Sequence, residues 1–173
     1  MAWFKRDRDR SEDDAPPAAA QTAGSGPVVS DPEAPLRPVE AALGEAERTR
    51  IATALSELSE AGVDVDDLHS LGKGLDEAFA AWEALPERQR EGHEQIVERF
   101  ALGIGEHLHR HTDLRWAVVT DAFGTDLAVS GSGRKEFVVV PANLVAVRWL
   151  GRERGWVPGV VGHIVQLRAD RYS

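Results

Sequence analysis

Cysteine is absent from this chain of 173 residues, and tyrosine and methionine occur once each. Without a thiol there is no disulfide, no thiolate nucleophile, no zinc finger and no cysteine-held iron–sulfur cluster. Long apolar runs are also missing. Stretches such as Phe137 to Pro141 fall far short of the ~20 residues that cross a bilayer, so no membrane span is expected. The basic start MAWFKRDRDR has no apolar region behind it and does not read as a signal peptide. A soluble, cytoplasmic protein is the default expectation. No phosphate-binding glycine loop and no dinucleotide fingerprint occurs either.

What is present is the composition of an ordinary globular domain, 42% hydrophobic and 28% charged, with five Trp and five Phe to build a core. The formal net charge of −9 is unevenly placed: −2 over residues 1–38, −9 over 39–115 and +2 over 116–173. An acidic surface repels phosphate backbones, so nucleic-acid binding is not expected. Only the last third could attract an anion.

Residues 1–38 alternate charge and then turn to Ala, Pro, Gly and Ser, without the apolar periodicity that could offset the entropy of ordering. This predicts a disordered N-terminal tail, followed by one α+β domain over 39–173. Within it, 39–115 reads as helical. Leu43, Ala46, Ile51, Ala54, Leu55 and Leu58 recur at three- and four-residue steps from Val39 onward, and Gly62 is placed to end that helix. Leu68, Leu71, Leu75, Ala78, Phe79, Trp82 and Leu85 form the cleanest amphipathic stripe, with Asp64 or Asp66 as the cap and Pro86 as the stop. A third helix is predicted from Pro86 or Glu87 to His111. Gly103 and Gly105 interrupt it at a cost of roughly 1 kcal/mol each, which close approach of another element would explain.

Residues 116–141, WAVVTDAFGTDLAVSGSGRKEFVVVP, alternate with period two around two glycine-containing turns at 122–124 and 131–133. A three-stranded antiparallel meander follows, with the helices packed on it. Two C-terminal helices over 142–170 close the domain, Pro158 suiting a first helical turn. Trp116, Leu127, Phe137, Trp82, Phe79 and Phe100 are the expected core. Antiparallel hairpins lack the strand-to-helix crossovers that build nucleotide sites in parallel sheets.

The order LGIGEHL, RWAVVTDAFGTDLAV, EFVVVPANLVAVRWL resembles the bacterial family known as domain of unknown function 3806, which is common in actinobacteria. The residues that carry the resemblance are Leu102, Gly103, Gly105, Glu106, Trp116, Asp121, Gly124, Pro141 and Arg148, over roughly 95–168. GLDEAFAAW, Gly74 to Trp82, resembles a helix often found upstream. Where the family pattern often has a larger apolar residue after the proline, this chain has Ala142. The resemblance implies the fold and implies no chemistry.

Constellations with chemical potential are few. His107 and His111 in EHLHRH lie four apart on one helix face, as in two-histidine zinc sites, but no third ligand has a recognisable spacing. A role for these histidines in the helix end is the simpler reading. Asp121 and Asp126 flank a hairpin turn, which is solvated and not a cleft, and turn formation accounts for both. Ser130 and Ser132 lack the strand–elbow–helix setting that activates a serine, and His163 is isolated.

No catalytic, metal or cofactor site is assigned, and the chain leans away from an enzyme. The candidate interaction surface is Arg148, Trp149, Arg152, Arg154 and Trp156, because Arg and Trp are favoured at contact hot spots. The leading expectation is a non-enzymatic module for an unidentified protein partner. The alternatives are a small-molecule-binding domain or enzyme with a pocket between sheet and helices, and a homodimer.

Overall fold

A computed structural model describes residues 39–90, 92–121, 124–131 and 137–169. The expected tail over 1–38 and the tips of both expected turns lie outside the described residues. The elements run in the order β1 (Val39–Ala41), α1 (Glu45–Glu60), α2 (Leu68–Ala84), a short 3-10 turn (Glu87–Gln89), α3 (His93–His111), β2 (Arg115–Asp121), β3 (Gly124–Gly131), β4 (Phe137–Val139), α4 (Pro141–Leu150) and α5 (Val157–Ala169).

The α+β class and the antiparallel meander stand as expected. The sheet has four strands, not three, in the order β1-β2-β3-β4 with every pair antiparallel. The added strand is β1, which periodicity assigns to the first helix. Val39, Glu40 and Ala41 are all exposed, and they pair with Thr120, Val119 and Val118. Three residues carry too little pattern to signal a strand; the vacant edge of β2 supplies the hydrogen bonds that hold them.

Helix α1 ends as expected. Gly62 has φ of 75°, and its N–H bonds to the Ser59 carbonyl. Asp67 caps α2 in place of Asp64 or Asp66, accepting from the His69 N–H at 2.9 Å. Asp64 instead accepts from the Asp66 N–H, and Asp66 turns toward α3. The third helix starts at His93, later than expected, because Gly92 sits at φ of 77° and breaks the helical path after the 3-10 turn.

Helix α3 is the centre of the molecule. Phe100, Ala101, Leu102, Gly103, Ile104 and Gly105 are all buried, so this stretch is enclosed on every side. Both interior glycines mark close approaches, as expected. A Cβ on Gly103 would lie 2.6 Å from Leu58 Cδ1, and one on Gly105 would lie 2.6 Å from Trp116 Cζ2 and 3.0 Å from Pro141 Cγ.

The main core joins Leu58, Leu71, Leu75, Phe79, Phe100, Ile104, Leu108 and Val129 with Val145, Trp149, Trp156, Val157 and Val161 from the last two helices. Each fully buried aliphatic side chain contributes about 1.5–3 kcal/mol over its exposed state. Of the expected core, Phe79 and Phe100 are buried, while Trp82, Trp116, Leu127 and Phe137 are half-buried at its margin. The opposite face of the sheet carries a small second cluster of Ala117, Val119 and Ala128, with Val140 against it.

A largely buried ion pair ties the C-terminal helix to the loop between α3 and β2. Arg168 on α5 is 2% exposed and donates from Nε to Asp113 Oδ1 at 2.6 Å. A second contact runs from its Nη2 to Asp113 Oδ2, and its guanidinium lies 5.4 Å from the centre of the Phe137 ring.

Candidate functional site

The histidine run reads as structure. His107 is buried and its Nδ1–H donates to the Val65 carbonyl at 2.8 Å, holding the α1–α2 loop against α3. Burial depresses the basicity of His107, partly offset by that hydrogen bond. His111 packs beside it with ring centres 4.3 Å apart, and its Nε2 meets Asp66 Oδ1 at 3.0 Å. Burial would raise the Asp66 pKa, but the His111 hydrogen bond and the nearby Arg110 outweigh it and hold that carboxyl below its usual range. His109 turns instead to the Leu114 carbonyl. Among the described residues no group of three or more His, Asp or Glu is placed to hold a metal ion.

Glu106, inside the same motif, has a role that spacing does not reveal. Its Oε2 accepts the Trp116 indole N–H at 2.9 Å and its Oε1 accepts from Arg110 Nε at 2.8 Å. The carboxylate thus fixes the first meander strand on the central helix.

The expected Arg and Trp surface is taken apart by the fold. Trp149 and Trp156 are 6% and 9% exposed, so the expectation that these indoles form a contact patch is corrected: both belong to the core. The reason is helical phase. Pro141, Val145 and Trp149 lie four apart on the inward face of α4, and Trp156 enters the core just before α5. Arg148 covers Trp156, its guanidinium 4.6 Å from the ring centre, and donates to the Leu144 carbonyl. Arg152 and Arg154 stay at the surface, where both bond to Glu83 of α2 at 3.0 and 2.7 Å. A shared exposed carboxylate offsets much of their charge without adding much stability. Asp126 and His163 are exposed, and Ser130 is buried and donates to Glu40, so none of them joins another in a reactive pair. Ser132 lies outside the described residues.

The same phase that buries Trp149 leaves an apolar face outside. Val147 is 64% exposed and Leu150 is 76% exposed, while Asn143 and Ala146 share their side of the helix. Beside this face runs a cleft of about 230 Å³ between α4 and the first turns of α3. His93, Glu94, Val97 and Glu98 form one wall. Ala142, Asn143, Ala146, Trp149 and Leu150 form the other. Ala142 and Ala146 are small, which keeps the space between the two helices open.

Behind the cleft lies an aromatic nest. The His93 ring stacks on Trp149 with 14° between planes and 6.2 Å between centres, Trp82 lies 5.4 Å from Trp149, and Phe79 meets Trp149 edge-on at 4.8 Å. The buried indole N–H groups of Trp82 and Trp149 have no hydrogen-bond partner among the described residues. Glu98 receives Arg50 at 2.5 Å, and Glu94 is largely exposed with the His93 ring at 3.4 Å. Sequence reasoning missed this site: Val147 and Leu150 lie three apart and Ala146 and Leu150 four apart, but that spacing does not say which apolar face of α4 stays outside.

Fold and site together define a small α+β domain with a filled core and an apolar, carboxylate-edged cleft between two helices. Residues 81–159, from the end of α2 to the start of α5, match the model of the family described as Domain of unknown function (DUF3806). That span overlaps the resemblance drawn from LGIGEHL and the strands, and includes every residue of the cleft. No curated protein and no solved structure gives a significant match. Among the described residues no helix is long and apolar enough to cross a membrane.

Proposed function

We propose that this protein is a non-enzymatic interaction domain that binds another protein through the outer face of α4 and the adjoining α3/α4 cleft. The carrying observation is the exposure of Val147 and Leu150 on one helix face beside an apolar concavity. Scattered exposed apolar residues need no explanation, but two on successive turns bordering a cleft resemble the anchor sites of protein contacts. The interface between sheet and helices is filled by Ile104, Leu108 and Val129, each 0% exposed, which argues against a substrate pocket there.

Affinity capture from the native cell tests this. The intact chain is compared with the pair Val147→Asp and Leu150→Glu, and with Arg152→Glu and Arg154→Glu. Companions lost with the first pair and kept with the second support the α4 face. Companions retained by Val147→Asp and Leu150→Glu refute it.

A second reading, small-molecule binding in the same cleft, is favoured by one observation: the buried Trp149 N–H lacks an acceptor among the described residues. A compound that quenches Trp fluorescence saturably, and no longer does so when Ala142→Phe fills the cleft, would support it.

A further inference from the structure

We infer that the partner segment received by the α3/α4 cleft is cationic and amphipathic, setting one large apolar side chain over Val147 and Leu150 and a Lys or Arg head against Glu94. This rests on the reading of the α4 face as a protein contact.

Among the described residues the charged side chains in the cleft wall are Glu94 and Glu98, and no Lys or Arg lines it. Glu98 is engaged by Arg50, whereas Glu94, with the His93 ring at 3.4 Å, keeps its side chain 75% exposed and is the carboxylate presented to a partner cation. An acidic segment would meet like charge in a partly desolvated cleft, a penalty that excludes wrong partners more strongly than it rewards right ones.

Geometry sets the size of the segment. From Asn143 to Leu150 the exposed face spans about 10 Å at ~1.5 Å rise per residue, which two turns of a helix cover. Ala142 and Ala146 line the cleft, whose volume of about 230 Å³ has room for one large apolar side chain.

The test is selection of displayed peptides of about three helical turns on the intact immobilised chain, followed by anisotropy titration of the enriched peptide. The expected result is enrichment of sequences that place Lys or Arg within one turn of Leu, Ile, Met or Phe. Leu150→Glu and Ala142→Phe should each weaken the enriched peptide by at least about tenfold, the loss typical of a central contact. Glu94→Lys should weaken it by about threefold to fivefold at low salt, with a smaller loss at high salt. Leu150 and Glu94 are exposed, so their variants stay folded even where Ala142→Phe does not.

Enriched peptides without cationic bias, bound equally by Glu94→Lys but lost with Leu150→Glu, overturn the cationic partner and leave the contact face standing. Peptides bound undiminished by Leu150→Glu overturn both. Selection that yields no peptide also overturns both.

Discussion

Gly105→Ala should destabilise the protein even though it replaces a poor helix former by the best one. In an unobstructed helix interior that exchange gains about 1 kcal/mol. At Gly105 the new Cβ would stand 2.6 Å from Trp116 Cζ2 and 3.0 Å from Pro141 Cγ. Carbon atoms at their best separation lie about 3.5–4.0 Å apart, so the indole must move by about 1 Å.

It cannot move cheaply. The Trp116 N–H is held by Glu106, and the Pro141 ring is the first residue of α4. Overpacking of this kind costs about 1–3 kcal/mol, and loosening a hydrogen bond to a carboxylate costs about 1.5–3 kcal/mol more. Set against the helix gain, the net loss is about 1.5–5 kcal/mol, or about 0.8–2.5 M in the urea midpoint at an ordinary slope of ~2 kcal/mol/M. Gly162→Ala in α5 is the matched comparison, because its Cβ would meet only Leu68 Cδ1 at an ordinary 3.7 Å. It should stabilise by about 0.5–1 kcal/mol. Urea unfolding followed by circular dichroism reads both. A Gly105→Ala protein as stable as the parent, or one that tracks Gly162→Ala, would refute the close packing of α3 on β2.

Arg168→Met should cost about 3–5 kcal/mol in the same assay, since it takes the main cation from Asp113 in a buried setting. Its effect should exceed that of removing Arg152 or Arg154, whose pairing with Glu83 is exposed. Stability should fall with acid below the ordinary His pKa of 6.5, because burial holds His107 neutral in the fold while the unfolded chain takes up the proton. The slope between the lowered folded value and 6.5 approaches ~1.4 kcal/mol per pH unit, and His107→Gln should flatten it in urea titrations at stepped pH. A second acid loss should appear below 3.8, where Asp66 protonates and releases His111 and Arg110. Val147→Ser with Leu150→Ser should leave the unfolding midpoint within about 0.5 kcal/mol of the parent, as expected for exposed positions outside the core.

Local signals and tertiary packing divided the molecule between them. The stripe from Leu68 to Leu85, the stop at Gly62 and the alternation from Trp116 to Val139 are short-range patterns, and they marked the helices and the meander because a single element carries each period. The glycines of α3 likewise pointed to close neighbours, since their cost in a helix is offset where a Cβ would have no room. Other features depended on partners distant in the chain. Val39–Ala41 became a strand because β2 offered an edge, and Asp66 left its expected cap for Arg110 and His111.

Trp149 and Trp156 were taken for a surface because they neighbour arginines in sequence. In the fold, helical phase sends the indoles inward and the guanidinium of Arg148 over them. The cleft owes its existence to two helices brought side by side, His93 against Trp149, across more than fifty residues of chain. Composition and periodicity therefore determined that this is an α+β chain without thiol chemistry or a long apolar span. Which apolar residues are left outside, and beside which carboxylates, was decided only by packing, because that choice depends on the relative rotation of α3 and α4 and no local pattern encodes it.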